Sequence, residues 1–552
     1  MVPAVLAAAL FLAASPAQAT NYYVDVTNGN NSWTGTSSNY VSGNTGPLLN
    51  FANFRWGAYP GIALKPGDIV YAMAGVLDHT DDSINTSFSP GYSGTSNAPL
   101  VFTNYPGAYF TISNSGSNIN TINLTRKSWV KVFGINSTNA YLTPVMQYCT
   151  NCEVAYCNFG GGKQILGCRA IFTMFNECQS NWIHNNVMGP STPFNNSGGD
   201  GGIHGATVGT FYSGQDFTSQ NIIESNIFFH SGHDVLSVYG PSNVVQYNWG
   251  HSAPWYAVTN IYWGSRDLEL GGTIGNYNLV QHNNWNYAGY VPDEGCHGVE
   301  MSDGAYEIFR YNYCLNDASA GICVYGGKVG GTVSCSNYIY NNTLAFDGYN
   351  ATKTTNGTPT NISYPLWQCA MAFVSTSKNV IVNNLAYDNL SSAFNFLDGV
   401  NVDTVRLANN LSNADPLFTD TNNSPGEFNM SLPDCTLQPG SPAIDAGAWL
   451  TTITSRSGSG TSFTVADPNY FFAGLTAAWR TIPGDTIQLQ GQISTATITS
   501  ISGNTITVAT PLTWTNGQGL ALAYGGAAPD VGACEYYPLG APTDLRIVSQ
   551  AP

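Results

Sequence analysis

A segment that recurs through the middle of the chain consists of a short apolar strand followed by an Asn-rich turn. Short strands rich in Val, Ile, Tyr and Phe favour β structure over helix. The spacing of the closing Asn residues varies from 22 (226 to 248) to 42 (342 to 384), which is typical of a solenoid whose coils carry insertions. The six closing residues are Asn226, Asn248, Asn283, Asn312, Asn342 and Asn384.

This repeat predicts an all-β fold, a right-handed parallel β-helix. We expect the Asn of each coil to lie in a left-handed turn and to stack on the Asn of the next coil, so that the side-chain amides satisfy one another in a ladder. Such coils present a long, grooved face that is suited to a polymer.

The composition excludes several classes of protein. Only 9% of the residues are charged, 12% are aromatic, and the net charge is −17. Abundant aromatic and β-branched residues argue against disorder. A protein that binds nucleic acid needs clusters of Lys and Arg, and this acidic chain shows none, so we expect no nucleic-acid partner.

The N-terminus predicts export. Residues 2–14 form one apolar run, and Ala17-Gln18-Ala19 is typical of a signal-peptidase site, although a basic segment before the run is missing. We therefore predict a signal peptide over residues 1–19 and a secreted, periplasmic or cell-surface protein. The run is too short to cross a bilayer, and no other stretch reaches 18 apolar residues, so we expect no membrane span.

The chain has 12 cysteines. In an exported protein they raise the question of disulfides. Cys149 and Cys152 form a C-x-x-C pair, but they do not precede a helix and no second matching pair accompanies them. We expect disulfides between coils mixed with buried thiols, rather than a redox or zinc site.

The pattern divides the chain into segments. Residues 20–112 are predicted to form an N-terminal cap and the first coils, and residues 113–450 the main coils, with inserted loops at 251–265 and 349–366. Residues 451–527 alternate apolar and polar residues and contain a Gly-Asn turn, which predicts a small antiparallel β module. Residues 528–552 are interpreted as a closing segment and a linker-like tail.

Four short motifs carry a resemblance to known proteins. They are GNNSWTG near the start, KPGD followed by a strand and Ala-Gly, SPAIDAG at 441–447 and APDVGACEY at 528–536. Together they resemble bacterial secreted right-handed β-helix proteins of the polysaccharide lyase and glycoside hydrolase kind, the pectate-lyase-like group. The resemblance implies the architecture and a polysaccharide substrate, but it does not specify the reaction. The 451–527 module resembles an insertion found in several such proteins.

Two glutamates are the leading candidates for catalysis. If the segments 233–238, 266–271, 297–302 and 320–325 are equivalent strands, then Glu269 and Glu300 point outward from neighbouring coils. Adjacent coils lie about 4.8 Å apart. Two stacked carboxylates repel, so one holds its proton at a raised pKa, which is the arrangement that glycoside hydrolysis needs. The alternative interpretation is a structural ladder or a set of calcium ligands.

Further titratable residues cluster in the same window of the sequence. His233, Arg266 and His297 occupy equivalent places before the Glu position, and we predict that they support catalysis. Oxygen-rich loops suit Ca²⁺, and the predicted metal ligands are Asp293, Glu294 and Asp303.

A polysaccharide lyase is the main chemical alternative. A lyase removes a proton from a uronate while a cation or an Arg neutralises the sugar carboxylate. Lys328 is the candidate base, with Arg266 or Ca²⁺ as the neutraliser, and His233 or His297 is an alternative base. Flat aromatic rings stack on sugar rings, and the predicted substrate-binding residues are Trp255, Tyr262, Trp263, Trp285, Tyr325 and Lys328.

We therefore expect a secreted enzyme that cleaves a polysaccharide, with hydrolysis favoured over elimination. A protein of another class also fits, namely a non-catalytic surface or fibre protein that uses the solenoid as a spacer or as a glycan-binding rod. The two differ in whether the polar residues of 233–303 converge on one groove.

Overall fold

The fold is that of a computed structural model. The structure describes residues 19–55, 61–78, 88–113, 121–138, 144–160, 170–189, 204–209, 217–229, 235–251, 259–262, 277–288, 297–302, 304–317, 319–325, 335–348, 353–355, 358–360, 369–397, 404–412, 414–422 and 431–537. Residues 1–18 of the predicted signal peptide lie outside these residues.

Three long parallel sheets run along the molecule. A complete coil contributes one strand to each of the three sheets. Sheet I has 13 strands: Asn21–Val24, Ile69–Ala72, Leu100–Asn104, Val130–Phe133, Glu153–Ala155, Trp182–His184, Ile222–Glu224, Val244–Gln246, Leu279–Gln281, Ile308–Arg310, Tyr338–Tyr340, Val380–Val382 and Arg406–Ala408.

Sheet II has 12 strands: Gly75–Asp78, Phe110–Ser113, Ile135–Thr138, Asn158–Phe159, Val187–Met188, Ile227–Phe229, Trp249–His251, Asn284–Asn286, Tyr313–Leu315, Thr343–Ala345, Leu385–Tyr387 and Leu411–Ser412. Sheet III has 9 strands: Val145–Gln147, Ala170–Phe175, His204–Val208, Leu236–Val238, Thr259–Tyr262, Val299–Ser302, Ile322–Tyr325, Met371–Val374 and Phe394–Phe396. The predicted parallel β-helix is confirmed.

The described part also contains smaller elements. A 3₁₀ helix covers Phe51–Phe54, and short antiparallel pairs join Lys353–Thr355 to Thr358–Thr360 and Phe418–Asp420 to Asp434–Leu437. The C-terminal module, residues 451–522, is built of antiparallel strands: Thr451–Thr452, Gly458–Thr464, Gly474–Ala477, Arg480–Pro483, Thr486–Leu489, Thr495–Ser502, Thr505–Trp514 and Gly519–Leu522. No helix in the described residues is long and apolar enough to cross a membrane.

An Asn ladder follows the corner between sheets I and II. In Asn283, for example, the side-chain oxygen accepts the backbone N–H of Asn248, and its side-chain amide donates to the oxygen of Asn312 and to the carbonyl of Val245. Every member has its polar groups paired inside the solenoid, where an unpaired group is costly. The ladder runs through Asn186, Asn226, Asn248, Asn283, Asn312, Asn342, Asn384 and Asn410.

The predicted ladder is therefore present, but its predicted backbone conformation is wrong. The left-handed residue is the one just before each ladder Asn, for example Tyr247 (φ 55), His282 (φ 54) and Tyr311 (φ 52). One left-handed residue bends the chain from sheet I into sheet II, and the next residue then points its amide inward. The rings of Tyr247, His282 and Tyr311 stack on one another at 5.2 and 5.1 Å.

The cysteines differ from the prediction. Cys152 and Cys157 occupy ladder positions in an early coil, where their backbone N–H groups donate to Asn181 and Asn186. The ten cysteines in the described part of the chain form no disulfides with one another, and most are buried. Among these ten the expected disulfides are absent and the expected buried thiols are present, because small apolar thiols fill the interior of the coil.

The C-terminal module packs on the outer face of sheet I. The middle residue of each strand, such as Val245 and Val280, points into the solenoid core, whereas Val244 and Leu279 pack with residues of the module. Arg310 also pairs with Asp485 of the module across this interface. The module thus covers the outer face of the later strands of sheet I.

Candidate functional site

Glu300 lies on the outward-facing side of sheet III. Its neighbours in the strand, Val299 and Met301, are both in the hydrophobic core. Side chains alternate along a strand, so Glu300 points away from the core, as predicted. Its exposed fraction is nevertheless only 1%. The site is therefore a buried carboxylate on the outer face of a rigid sheet.

The register of sheet III defines what stands beside Glu300. In the preceding coil its partner is Asn260, and in the following coil it is Cys323. The column continues to Ser237 on one side and to Ala372 on the other. Glu300 is thus the single carboxylate in this column of the described sheet.

The predicted stack of Glu269 on Glu300 falls outside the described residues and stays a prediction. The described sheet III strand of that coil is Thr259–Tyr262, within the predicted 251–265 loop, and it places Asn260 in register with Glu300. Both segments have strand-like patterns, and the 35 residues between Asn248 and Asn283 accommodate either. Pairing with the coils on both sides decides between them, and the sequence pattern does not contain that information.

His297 lies at the entry to the same strand. Its exposed fraction is 1%, and its Nδ1 accepts a hydrogen bond of 3.3 Å from the backbone N–H of Ala320 in the next coil. A ring nitrogen that accepts from an amide carries no proton, so this contact assigns the proton of the neutral ring to Nε2. His297 can therefore donate a hydrogen bond from Nε2, while Glu300 can accept a proton.

Two buried aspartates that the sequence analysis missed lie behind this strand. Asp317 accepts the backbone N–H of Ala288 at 2.8 Å, and Asp347 accepts that of Asp317 at 3.1 Å. Asn389 continues the series by accepting the N–H of Asp347. This is a second ladder, at the corner after sheet II, in which two carboxyl groups replace amides. The signal was present in the sequence, because both Asp residues follow their strands at the place where Asn389 follows its own.

Burial disfavours the ionised form of these two carboxyl groups. Both residues are 0% exposed, and the second oxygen of each has no hydrogen-bond partner in the described structure. Burial raises the pKa of Asp317, and burial together with the charge of Asp317 raises the pKa of Asp347, both well above the ordinary range. The pair therefore keeps its protons where exposed aspartates lose theirs.

Asp317 also fixes the backbone next to His297. A methyl group at Gly298 would lie 2.0 Å from Oδ2 of Asp317, and one at Gly321 would lie 2.5 Å from Oδ2 of Asp347. Only glycine allows this close approach of the strand to the ladder. The entry of the His297 strand is thus packed directly on a buried carboxyl group.

The remaining predicted residues are only partly described. Trp285 is 0% exposed in the hydrophobic core, so its predicted contact with substrate is wrong: it is the middle residue of a sheet II strand and points inward. Tyr325 is half-buried against the small apolar cluster that contains Cys323 and Ala372. The backbone of Tyr262 lies in the strand Thr259–Tyr262, and its predicted contact with substrate stays a prediction.

Most of the other predicted site residues fall outside the described residues, and their roles stay predictions. They are His233, Trp255, Trp263, Arg266, Glu269, Asp293, Glu294, Asp303 and Lys328. Within the residues that the structure describes, no group of three or more His, Cys, Asp or Glu side chains is placed to hold a metal ion.

Comparison with known proteins gives likenesses in structure alone. No protein-family model matches the chain, and no curated protein matches it. Among solved structures, pectate lyase Pel9A aligns over 94% of this chain and 96% of its own, with 15% identity and a TM-score of 0.45.

Two further solved structures show the same kind of likeness. The alginate lyase AlyGC of family PL6 aligns over 66% of this chain and 52% of its own, with 13% identity and a TM-score of 0.41. The A-module of a mannuronan C-5 epimerase from Azotobacter vinelandii aligns over 64% and 86%, with 10% identity and a TM-score of 0.39. The neighbours are thus of the lyase-like kind that the sequence motifs resemble. At these values they assign no reaction and no substrate to this chain.

Proposed function

We propose that this protein is an enzyme that cleaves a polysaccharide on the outer face of sheet III, around Glu300 and His297. One observation carries the proposal: a buried carboxylate stands on the outward side of a rigid parallel sheet, three residues from an imidazole whose proton is assigned. Buried titratable groups set on a rigid scaffold are characteristic of catalytic sites.

The lengths of the connections between strands also favour a binding site at sheet III. Sheets I and II are joined by short corners, such as Ser225 and Asn226 between Glu224 and Ile227. Longer stretches of sequence separate the strands of sheet III from the neighbouring strands in the chain, for example between Tyr262 and Leu279, between Asn286 and Val299, and between Tyr325 and Tyr338. Long segments on a rigid scaffold commonly form binding sites.

β-Elimination is the reaction that this geometry supports best. Hydrolysis of a glycosidic bond usually needs two carboxyl groups on opposite sides of the bond, and in the described column of sheet III Glu300 is the single carboxylate, with Asn260 in register beside it. Elimination from a uronate needs one base for the proton and one donor for the leaving oxygen. We assign the base to Glu300 and the donor to Nε2 of His297.

We also propose that a positive charge neutralises the uronate carboxylate during elimination. Arg266 and Lys328 are the candidate cationic side chains, and Ca²⁺ held by Asp293, Glu294 and Asp303 is the alternative. Each is tested by removal: Arg266→Ala, Lys328→Ala, and chelation followed by return of Ca²⁺.

The deciding experiment incubates the purified protein with polyuronates and neutral polysaccharides. Absorbance at 235 nm reports the unsaturated product of elimination, and a reducing-end assay reports every cleavage. We expect both signals on a polyuronate, and neither signal with Glu300→Gln. The matched control is Glu177→Gln, which changes an exposed glutamate. Reducing ends without absorbance would replace elimination with hydrolysis, and full activity of Glu300→Gln would exclude the site.

We also propose that the protein is exported after cleavage near Ala19. Expression of the full chain in a bacterial host and N-terminal sequencing of the secreted protein test this. A mature chain that begins at Thr20 supports it, and protein that stays in the cytoplasm with residues 1–19 attached contradicts it.

A further inference from the structure

The backbone of Ala320 holds His297 at two points. Its N–H donates to Nδ1 of the ring at 3.3 Å, and its carbonyl oxygen accepts the N–H of Gly298, the next residue, at 3.0 Å. Because both hydrogen bonds come from one residue, the direction of the ring depends on the position of Ala320. This residue lies in the next coil, in the corner between Leu315 of sheet II and Ile322 of sheet III.

Asp347 binds that corner on both sides of Ala320. Its Oδ1 accepts the N–H of Asp317 at 3.1 Å, and its Oδ2 packs on Gly321, where an added methyl group would lie 2.5 Å from it. The N–H of Gly348 also donates to the carbonyl oxygen of Asp317 at 2.7 Å. Asp317 precedes Ala320 in the chain and Gly321 follows it, so Asp347 fixes the backbone of the residue that holds the ring.

Asp317 makes the same pair of contacts one coil earlier. Its Oδ1 accepts the N–H of Ala288 at 2.8 Å, and its Oδ2 packs on Gly298, where an added methyl group would lie 2.0 Å from it. Ala288 precedes His297 in the chain and Gly298 follows it. Asp317 therefore fixes the backbone that carries the ring, and Asp347 fixes the backbone that the ring accepts from.

The corner beyond these two is closed by an amide instead of a carboxyl group. Asn389 accepts the N–H of Asp347 at 2.9 Å and donates to the carbonyl oxygen of Leu344 at 3.1 Å. In the described structure the second oxygen of Asp317 and that of Asp347 have no hydrogen-bond partner. An unpaired buried oxygen costs stability. Natural proteins accept such costs mainly at functional sites, and the two corners concerned carry His297 and the residue that binds its ring.

We propose that Asp317 and Asp347 are positioning residues that hold the His297 ring in one direction with its proton on Nε2. An N–H that donates to Nδ1 keeps the proton of the neutral ring on Nε2. When the corner relaxes and this hydrogen bond is lost, the proton is shared between the two nitrogens, and the leaving oxygen of the substrate loses its donor. The effect on cleavage rests on the proposed function, whereas the effect on the ring does not depend on it.

The first measurement observes the ring directly and needs no substrate. In the full chain with nitrogen-15 in histidine, NMR shifts at about pH 7.5, where an ordinary imidazole is neutral, report which ring nitrogen carries the proton. The chain has 8 histidines, and His297→Gln identifies the signals of His297. We expect the proton on Nε2 in the parent protein and in Asp317→Asn, which keeps an uncharged side chain with an acceptor at Oδ1. Asp317→Ala should show the proton on both nitrogens.

The second measurement follows cleavage of a polyuronate at 235 nm. We expect kcat of Asp317→Ala to fall about tenfold to hundredfold, since a small displacement of a catalytic group has effects of this size. KM should change little, because Asp317 is 0% exposed and does not reach the substrate. Asp317→Asn should keep most of kcat. Asp347→Ala displaces the residue that holds the ring and should give the same changes, so the proposal stays testable if Asp317→Ala does not fold.

Asn312→Ala is the matched control. Asn312 is also 0% exposed, and it belongs to the ladder at the corner between sheets I and II. This variant should lower the melting temperature and leave the ring proton and kcat as in the parent protein. An unchanged ring proton in both Asp317→Ala and Asp347→Ala, or an equal loss of kcat in Asn312→Ala, would overturn the proposal. If the parent protein cleaves no polyuronate, the proposed function fails, and the NMR result alone decides whether the two aspartates hold His297.

Discussion

Arg310 in sheet I and Asp485 in the C-terminal module form a bidentate ion pair. Nη1 lies 2.7 Å from Oδ2 and Nη2 lies 2.6 Å from Oδ1. Arg310 also donates to Gln281 and to the hydroxyl of Tyr340, and Asp485 accepts the backbone N–H of Phe472. Nearly all the hydrogen-bonding capacity of both buried groups is used, so the pair fixes how the module sits on the solenoid.

Removing one partner of this pair should be strongly destabilising. Arg310→Met leaves the Asp485 carboxylate buried without its cation, and we expect a loss of about 3–5 kcal/mol in the free energy of unfolding. Urea denaturation measures the loss. The combined variant Arg310→Met/Asp485→Leu should recover much of it, because no charge then stays buried. A combined loss equal to the sum of the two single losses would contradict this account.

The Asn ladder predicts that removing a single side-chain amide lowers the stability of the protein by an unusually large amount. Asn312 is 0% exposed, accepts the N–H of Asn283, and donates to the carbonyl of Val280. Asn312→Ala leaves both groups unpaired, at about 1–3 kcal/mol each. We expect the melting temperature to fall clearly, whereas Asn422→Ala, at an exposed turn, should change it little. Equal melting temperatures for the two variants would show that the ladder does not stabilise the coil.

The buried aspartate pair predicts a dependence of stability on pH. The pKa values of Asp317 and Asp347 are higher in the folded protein than in the unfolded chain. The contribution of the pair to stability is therefore complete at a pH below the pKa of the unfolded chain. It is lost as the pH rises through the pKa of the folded protein. Asp317→Asn keeps the acceptor and supplies a donor, as Asn389 does in the same ladder. We expect it to raise the melting temperature more at pH 8 than at pH 5.

The control for this prediction is Asp78→Asn, at an exposed position, which should show no such dependence. If Asp317→Asn shifts the melting temperature equally at the two pH values, the buried carboxyl is not held neutral.

The closing segment should loosen at alkaline pH. Glu535 accepts the backbone N–H groups of Gly525 and Asp530, and burial, with the charge of Asp530, raises its pKa to about 8. Burial also raises the pKa of Asp530 to about 6. Their stabilising contribution is therefore lost as pH rises through about 6 to 8.

Hydrogen exchange of the amides of 525–536 at pH 6 and pH 9 measures this loosening. We expect faster exchange at pH 9 beyond the intrinsic effect of pH, and a smaller increase in Glu535→Gln. Protection that is independent of pH in the parent protein would contradict the prediction.

Particular residues show which features of the fold and of the site the sequence pattern could predict. The closing Asn residues predicted the solenoid because each must pair its amide inside a coil, and that requirement is local and repeats. The outward direction of Glu300 followed from Val299 and Met301, because alternation along a strand is also local. Neither inference needed to know which coils are neighbours.

The partner of Glu300 could not be predicted in the same way. Asn260 and Glu269 both lie in strand-like segments between the same two ladder residues, and pairing with the adjacent coils selects Asn260. Trp285 was misassigned for a related reason. The sequence pattern around an aromatic residue in a short strand is the same whether its side chain faces the core or a ligand.

The repeating strand, the ladder amides and the antiparallel module could be predicted from the chain alone, because these depend on residues near one another in the chain. Three contacts could be seen only in the folded protein: the module covers sheet I, Asp317 packs against Gly298, and Asn260 is in register with Glu300. Such contacts join residues far apart in sequence, and insertions of different length between coils remove the fixed spacing that would have revealed them.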